Sequence, residues 1–492
     1  MSVDKLMYIG GQWVESQSGE RFGSENPATG EILGTVPRGN AADIAAAVAA
    51  ASAAFPGWRD TPPDERGRWL LKLAAALRDH AEELAYLLAQ ESGHYLSKAW
   101  GLVEFTAQNL EFYAGMADKA RGATIPTGPG RLALTRLEPV GVTGHIIPWN
   151  YPLFLVSRSG APALALGNTV VVKPAEQTPL IAIAFARLVE EVGFPEGVFN
   201  VVTGYGEEAG APLSAHPDVR SLTFTGSVPT GQLVMRAAAA NMTKVCLELG
   251  GKSPVIIFPD VDVETASEVA MQGVLSRCGQ VCIAGSRLFV HRDIHDQVVA
   301  RLMERFAGVR LGDTLDMETE MGPLVSREQL ERVAEYVAVG QQEGARLVAG
   351  GQQPEDPQLR RGHYYLPTLF TEVTNDMRIA QEEIFGPVLC VLPWEDEDDV
   401  VRQANDSPYG LAAAVWCNDA TRALRTATRL EAGGVFVNEW LGEDFRAPHG
   451  GYKLSGLGRE DGFECIPHYT EVKHIAINLL AEKAESWCDA PL

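Results

Sequence analysis

Apolar residues recur at helical spacing between residues 40 and 120. Asn40 predicts the start of one helix, and Pro62-Pro63-Asp64 predicts the start of a longer one that ends at Ser92-Gly93. The apolar positions that carry this spacing are Ile44, Val48 and Phe55 in the first helix and Trp69, Leu73, Leu77, Leu84 and Leu88 in the second.

From residue 140 onward, short β-rich runs are separated by apolar helical stretches such as 181–192. This βαβ rhythm predicts a doubly wound parallel sheet. A second α/β series follows Glu248. The predicted strands are 144–147, 169–172, 199–202 and 221–224 in the first series, and 254–258, 388–392 and 434–438 in the second.

Two segments do not fit either series. Residues 124–138 are rich in glycine and proline and are expected to be partly extended. Residues 474–479 alternate between apolar and polar, which predicts an edge strand that pairs with another segment or with another subunit. No internal repeat or low-complexity linker separates these parts.

The bulk composition narrows the class of protein. A chain of 492 residues predicts two or three domains, and 46% hydrophobic residues are typical of a globular protein. A net charge of −23 disfavours nucleic acid and anionic membranes as partners. No run of 18 apolar residues and no signal peptide are visible, so we expect no membrane association.

The cysteines point to a reducing compartment. The chain has seven, at irregular spacing, which disfavours a disulfide framework and indicates a cytoplasmic location. Cys278 and Cys282 stand close together, but no further Cys or His cluster accompanies them. We therefore expect no metal site, although a disulfide between these two cysteines stays open.

The most informative segments are LELGGKSP at 247–254 and GQVCIAGSR at 279–287. The first contains the carboxylate of Glu248 and the second the thiol of Cys282. A thiol nucleophile and a carboxylate base are the minimal parts for covalent catalysis at a carbonyl carbon. Both segments closely resemble the two signature motifs of the aldehyde dehydrogenase superfamily, and the resemblance extends from about Asn26 to about Ile475.

The resemblance implies an α/β protein with three parts. A Rossmann-like doubly wound NAD-binding domain would comprise residues 1–123 and 139–247, and a second α/β catalytic domain would comprise 248–446. Residues 124–138 and 447–492 would form a small extended oligomerisation arm and the C-terminal tail. A homodimer or homotetramer is implied, with contacts at 124–138 and 470–480.

Glycine-containing turns, which alone indicate only positive φ angles, become candidate cofactor turns through the resemblance. Lys173 and Glu176 would bind the adenosine ribose, and a carboxylate there favours NAD over NADP, with NADP possible. Glu383 would bind the nicotinamide ribose and Phe385 would pack beside the nicotinamide. The full set of expected cofactor-binding residues is Ile146, Pro148, Trp149, Lys173, Glu176, Gly206, Phe224, Thr225, Gly226, Ser227, Thr230, Leu249, Gly250, Glu383 and Phe385.

The resemblance also implies a two-stage reaction. Cys282 would attack the aldehyde, hydride would leave the thiohemiacetal, and water would hydrolyse the resulting thioester. Asn150 and the backbone N–H of Cys282 would form the oxyanion hole. Glu248 would act as general base. Its presence disfavours a CoA-acylating enzyme, the chemical alternative, and the presence of Cys282 and Glu248 disfavours a catalytically silent binding protein.

Three motifs depart from the family pattern. Leu275 and Arg277 replace a Phe-x-Asn pattern, His449 stands in a motif that usually reads Pro-Phe-Gly-Gly, and Arg158-Ser159 replaces Trp-Lys. We expect the first two to matter little and the third to reshape the substrate tunnel.

The predicted substrate residues are Tyr151 and Arg158. Arg158 could grip a distal carboxylate, as in semialdehyde dehydrogenases, or belong to the Arg-Ser pattern of benzaldehyde-type relatives, or form an internal salt bridge. The run at 161–168 matches the benzaldehyde type, so an aromatic or broad-range aldehyde is expected, with a semialdehyde such as succinate semialdehyde as the alternative.

Overall fold

The computed structural model describes residues 5–440 and 444–479. The tail beyond Leu479, including Cys488, lies outside the described residues. Through Glu248 the helices and strands are β1 (Met7–Ile9), β2 (Gln12–Val14), β3 (Arg21–Glu25), β4 (Ile32–Pro37), α1 (Ala41–Asp60), α2 (Pro63–Asp79), α3 (Ala81–Ser92), α4 (Leu96–Met116), β5 (Thr124–Ile125), β6 (Arg131–Pro139), β7 (Val142–Ile147), α5 (Pro152–Ala165), β8 (Thr169–Pro174), α6 (Pro179–Glu191), β9 (Phe199–Val201), α7 (Ala211–Ala215), β10 (Val219–Thr225), α8 (Val228–Ala239) and β11 (Lys244–Glu248).

The rest of the described chain adds a second α/β series and a nine-residue final strand. Its elements are β12 (Pro254–Ile257), α9 (Val263–Leu275), β13 (Arg287–His291), α10 (Arg292–Ala307), α11 (Arg327–Gln342), β14 (Arg346–Ala349), β15 (Thr368–Thr371), α12 (Arg378–Gln381), β16 (Val388–Trp394), α13 (Glu397–Asn405), β17 (Tyr409–Gly410), β18 (Ala412–Trp416), α14 (Ala420–Ala427), β19 (Gly434–Val437), β20 (Tyr452–Lys453), β21 (Gly456–Leu457), α15 (Ile466–Tyr469) and β22 (Thr470–Asn478).

The first sheet is doubly wound, as predicted. Its strands lie in the order β2-β1-β9-β8-β7-β10-β11-β21, and β9 through β11 are parallel to one another. The chain winds outward in one direction through β7, β8 and β9 and in the other through β10 and β11. The winding reverses between β7 and β10, and ligands of open α/β sheets bind at the carboxyl ends of the strands beside such a reversal.

Helices cover both faces of this sheet because β8 is apolar on both sides. Val170 and Val172 face the core that contains α2 to α6, whereas Val171 faces the core that contains α1. Successive side chains of a strand point to opposite faces, so a continuous run of valines requires two apolar layers. Every residue of α5, which lies in the first of these layers, is buried.

The predicted helix boundaries are partly confirmed. Asn40 caps α1, where its side chain accepts the Asp43 N–H and the Asp43 carboxylate accepts the Asn40 N–H. The single helix expected between Pro62 and Gly93 is wrong, because the chain leaves helical geometry at His80 and continues as α3. The apolar spacing continues across this break, so periodicity alone did not reveal it. Gly93 ends α3 in the left-handed conformation.

Five residues separate β11 from β12, the first strand of the second sheet along the chain. Its order is β14-β15-β16-β13-β12-β18-β19, parallel except for the β14–β15 pair. This arrangement confirms a second α/β unit, which has its own apolar core. The link between the two sheets contains the LELGGKSP motif. Glu248 therefore ends the last parallel strand of one sheet, and the residues after it enter the centre of the other.

The predicted extended segments pair with each other. β22 lies antiparallel to β6 from Thr470 opposite Pro139 to Asn478 opposite Arg131, and β5 completes a three-stranded sheet. The partner of the predicted edge strand is therefore in the same chain. β22 lies at the edge of this sheet, with exposed Val472 and Ile477.

One helix of the described residues, α1, is long and apolar enough by length and composition to cross a membrane. Core helices satisfy the same criterion. Ile44, Val48 and Ala51 of α1 are fully buried in the core on one face of the first sheet.

Candidate active site

Most predicted cofactor residues lie on turns at the carboxyl ends of the first sheet. Ile146 lies near the end of β7, shortly before Pro148 and Trp149, and Lys173 lies near the end of β8. The next group spans the end of β10, the turn after it and the start of α8, and comprises Phe224, Thr225, Gly226, Ser227 and Thr230. Parallel strands place their carboxyl ends along one edge, so residues far apart in sequence share one crevice.

Lys173 and Glu176 form the pair expected at the end of β8. Lys173 Nζ lies 3.2 Å from Glu176 Oε2, with the lysine side chain 3% and the glutamate side chain 34% exposed. Burial lowers the pKa of Lys173, and Glu176 counteracts this effect. The buried cation thus holds a carboxylate that still reaches solvent, an arrangement that fits the hydroxyl groups of a ribose.

The turn after β10 begins helix α8. Ser227 caps the helix by accepting the Thr230 N–H at 3.4 Å. A Cβ at Gly226 would lie 2.6 Å from the Phe224 ring, so any other residue there would displace that ring. Gly206 follows β9, and a Cβ built on it would have no other heavy atom within 4 Å. A helix N-terminus beside an open turn fits the pyrophosphate of a dinucleotide.

Glu383 lies against the backbone that follows Glu248. Its carboxylate accepts the Gly251 N–H at 3.0 Å, and a Cβ on Gly250 would overlap it at 2.2 Å. Burial raises the pKa of Glu383 to about 7, although this hydrogen bond opposes the shift. The preceding Leu249 packs on Gly231 of α8. The linker between the sheets therefore contacts the predicted nicotinamide-ribose residue.

Phe385 and Trp149 meet across the two units. Their ring centroids are 5.3 Å apart at an interplanar angle of 83°. Phe385 has a positive φ of 63°, which is uncommon for an aromatic residue and indicates that its surroundings fix it. The edge-to-face pair brings the predicted nicotinamide neighbour next to the turn after β7.

Cys282 lies on an irregular loop between α9 and β13 and is half-buried. Arg277, Cys278 and Gly279 all adopt positive φ angles of 53°, 56° and 70°. A Cβ on Gly279 would lie 2.0 Å from the Gly386 carbonyl oxygen, so only glycine fits. Several consecutive strained residues directly before a nucleophile are typical of a functional loop.

Cys278 does not form a disulfide with Cys282, since both are free thiols. Cys278 is fully buried, and this burial raises the pKa of its thiol to about 12. A thiol of that kind is protonated and unreactive at neutral pH. Cys282 is the more accessible of the two, in agreement with its predicted role.

Asn150 is directed toward the nucleophile loop. Its side-chain Nδ2 donates to the Gln280 carbonyl at 3.2 Å, and its backbone carbonyl accepts from Arg277 Nε at 3.2 Å. Arg277 is buried and also donates to the Ser92 carbonyl. Arg277 departs from the family pattern in a way that was expected to matter little. Its hydrogen bond nevertheless connects the loop that contains Cys282 to the backbone at Asn150.

Glu248 is buried at the end of β11. The next residues meet the nucleophile loop, because a Cβ on Gly251 would lie 2.6 Å from the Cys282 carbonyl oxygen. Burial raises the pKa of Glu248 well above its ordinary value; Arg158 opposes this shift, while Glu460 adds to it. The folded chain therefore brings the predicted base and nucleophile segments together.

Arg158 forms an internal ion pair. Its Nε lies 2.9 Å from Glu460 Oε2 and 3.2 Å from Asp461 Oδ2, and its side chain is 5% exposed. This geometry matches the salt-bridge alternative, and the substrate-binding role of Arg158 stays a prediction. A cation on a fully buried helix requires such carboxylate partners. Tyr151, the other predicted substrate residue, is half-buried at the start of α5 and meets the His94 ring edge-on at 5.4 Å.

A cavity of about 210 Å³ lies where the loop after Cys282 meets the segment around His449. Its wall includes Ile283, which follows Cys282, and His449, whose Nε2 lies 3.6 Å from Glu248 Oε2. The sequence analysis did not assign these residues. The departure from Pro-Phe-Gly-Gly at His449 was the signal that could have identified it. The aromatic wall residues are Phe105, Phe154, Phe436 and Phe445.

Within residues 5–440 and 444–479, no group of three or more His, Cys, Asp or Glu side chains is arranged to hold a metal ion.

A doubly wound sheet with a nucleotide crevice, next to a thiol and a buried carboxylate, defines a class of cysteine-dependent oxidoreductases. The model of the aldehyde dehydrogenase family matches residues 13–475. The chain is 51% identical over 489 residues to a hydroxyisobutyraldehyde dehydrogenase of Mycolicibacterium austroafricanum, covering 99% of this chain and 97% of the relative. It is 44% identical over 480 residues to the betaine aldehyde dehydrogenase of Bacillus subtilis strain 168, covering 97% and 98%.

Solved structures agree. Betaine aldehyde dehydrogenase from Staphylococcus aureus in complex with NAD+ superimposes with a TM-score of 0.97 at 39% identity, covering 99% of this chain and 97% of that one. The NAD+ complex of an aldehyde dehydrogenase from Bacillus cereus gives a TM-score of 0.94 at 45% identity, covering 96% of both chains. The chain belongs to the aldehyde dehydrogenase family of NAD(P)-dependent oxidoreductases, which oxidise small-molecule aldehydes.

Proposed function

We propose that this protein oxidises a neutral aldehyde with an apolar or aromatic substituent to the carboxylic acid, with NAD as oxidant. The observation that carries the proposal is the cavity beside Ile283 and His449, which is lined by four phenylalanines. Aromatic walls contribute large apolar contact areas and favour ring-to-ring packing. None of the described residues that line it is a lysine or arginine.

The same geometry argues against the semialdehyde alternative. A distal carboxylate would require a cation, and the candidate, Arg158, is already paired with Glu460 and Asp461. Two wall residues, Asp444 and Asp461, are acidic. An anionic substrate would therefore lose its hydration without gaining a charge partner.

The chain's own groups support a two-stage reaction. The Cys282 thiolate attacks the aldehyde carbon, while the Asn150 amide and the Cys282 N–H stabilise the oxyanion. NAD, when bound, accepts the hydride that leaves the thiohemiacetal. Glu248 then takes a proton from the water that attacks the thioester, which releases the acid and restores the thiol.

The cofactor preference follows from Glu176. Its carboxylate is held by Lys173 and reaches solvent, so it can accept from a ribose hydroxyl and would repel a 2′-phosphate. Relatives crystallised with NAD+ support the same choice. NADP stays a weaker possibility.

The assembly and location are part of the proposal. We assign residues 1–123 and 139–247 to NAD binding, 248–446 to catalysis, and 124–138 with 447–492 to the arm and tail. The exposed edge of β22 supports a homodimer or homotetramer. The six free thiols among the described residues support a cytoplasmic location.

A panel of aldehydes that differ in charge tests the proposal. We expect kcat/KM with NAD to be highest for benzaldehyde, lower for hydroxyisobutyraldehyde and betaine aldehyde, and lowest for succinate semialdehyde. Cys282→Ala should abolish turnover but retain NAD binding, measured by calorimetry. Turnover of the variant above about one-thousandth of the wild type would rule out Cys282 as nucleophile, and a preference for succinate semialdehyde would overturn the substrate class.

A further inference from the structure

His449 occupies a position between the base and the aldehyde cavity. Its Nε2 lies 3.6 Å from Glu248 Oε2, about half an ångström beyond hydrogen-bonding distance. The backbone holds the residue in place, since His449 and Glu460 exchange two N–H to carbonyl bonds of 2.8 Å each. A small rotation of either side chain would bring the two polar atoms into contact.

Both partners need this contact. Among the described residues, neither carboxylate oxygen of Glu248 nor Nε2 of His449 has a hydrogen-bond partner, and all three atoms are buried. A buried polar atom without a partner loses its hydration without compensation. His449 also lines the cavity, so its imidazole lies both at the cavity wall and 3.6 Å from the predicted base.

We propose that His449 is a positioning residue for the base. Its neutral imidazole donates from Nε2–H to the Glu248 carboxylate and thereby keeps that group ionised and oriented during thioester hydrolysis. The inference rests on the proposed function of Glu248. It requires the tautomer with the proton on Nε2.

Burial and two neighbouring arginines keep the imidazole of His449 neutral. Burial lowers the pKa of His449 well below its ordinary value, and Arg158 and Arg459 lower it further. The other charged groups of this cluster, Glu460 and Asp461, raise the pKa of Glu248. Hydrogen bonds to a carboxylate favour its charged form. Glu248 has no such bond among the described residues, and the neutral N–H of His449 would supply one.

The contact predicts a specific kinetic signature. Glu248 must be ionised to accept a proton, so hydrolysis should rise with pH through the pKa of Glu248. His449→Phe removes the donor but keeps an aromatic ring at the cavity wall. In His449→Phe, we expect the acid limb of the pH–rate profile for hydrolysis to move up by about one pH unit. The rate of hydrolysis at neutral pH should then fall about tenfold, while the amplitude and rate of the NADH burst stay unchanged. His449→Gln, which retains an N–H donor, should restore most of the wild-type profile.

The measurement is rapid mixing with NAD and benzaldehyde across a pH series, which separates the burst from steady turnover. Phe445→Leu is the control: it alters the cavity wall away from Glu248, so KM should change without a shift of the limb. Infrared titration of the carboxyl band that is lost in Glu248→Gln reports the same pKa without turnover. An identical limb and band in wild type and His449→Phe would overturn the inference, whereas a wild-type protein that forms no NADH from benzaldehyde or the other aldehydes of the panel would instead overturn the proposed function.

Discussion

Arg158 on helix α5 pairs with Glu460, 302 residues later in the chain (460 minus 158), at 2.9 Å between Nε and Oε2, and each side chain is 5% exposed. The pair lies next to Glu248, whose pKa Arg158 lowers and Glu460 raises. The arginine thus acts on the charge of the predicted base. The Arg158–Glu460 ion pair therefore lies close enough to Glu248 to change the pKa of its carboxyl group.

Arg158→Leu should reduce both stability and activity. Removing one partner of a buried ion pair costs about 3–5 kcal/mol, since Glu460 and Asp461 lose their cation. The pKa of Glu248 should rise further, so kcat/KM at neutral pH should fall alike for benzaldehyde and succinate semialdehyde. Thermal unfolding and kinetics with both substrates measure these effects.

Arg68→Leu is the matched control, because its pair with Asp64 is exposed on α2. Surface substitutions of this kind change stability by about 0.5 kcal/mol or less. A loss confined to succinate semialdehyde in Arg158→Leu would restore the carboxylate-binding role of Arg158.

Glu248→Gln should separate the two stages of the reaction. Loss of a general base lowers kcat by roughly 10²–10⁴. If Glu248 serves hydrolysis, the NADH burst should persist while steady turnover slows, as recorded by stopped-flow absorbance. A reduced burst would indicate that Glu248 also activates Cys282. Wild-type rates in both phases would exclude it as base.

Glu176→Ser should narrow the preference for NAD over NADP. The change removes the carboxylate that would face a 2′-phosphate, and the ratio of kcat/KM values should fall by about tenfold, equivalent to about 1.4 kcal/mol. Glu191→Ser, which removes an exposed carboxylate from α6, is the charge-matched control and should leave the ratio unchanged. Equal kcat/KM values of the wild type for NAD and NADP would contradict the role proposed for Glu176.

Arg277→Ala should loosen the oxyanion segment. The change leaves the carbonyls of Asn150 and Ser92 without their guanidinium donor and should destabilise the fold by about 1–3 kcal/mol. Because Asn150 loses a fixed position, kcat should fall more than KM rises. Arg277→Lys, which can keep one of the two bonds, should recover part of kcat. An unchanged kcat in Arg277→Ala would make the contact purely structural.

Much of this architecture could be predicted from local sequence. The strands predicted at 144–147, 169–172 and 221–224 lie within β7, β8 and β10, because continuous runs of β-branched residues fit a sheet buried on both faces. Asn40 and Gly93 marked real helix ends, since capping depends on neighbouring backbone groups. The resemblance of two short motifs supplied the candidates Glu248 and Cys282, and the resemblance along the rest of the chain supplied Asn150.

The sequence by itself determined most of the elements and the fold class, because these depend on short-range periodicity, and its resemblance to a known family supplied the candidates for the reacting groups. Only the tertiary structure decided what Arg158, Arg277 and His449 touch. Each meets a partner distant in sequence, and the energy of a buried charge or N–H group depends on that partner and on burial. No local pattern contains that information.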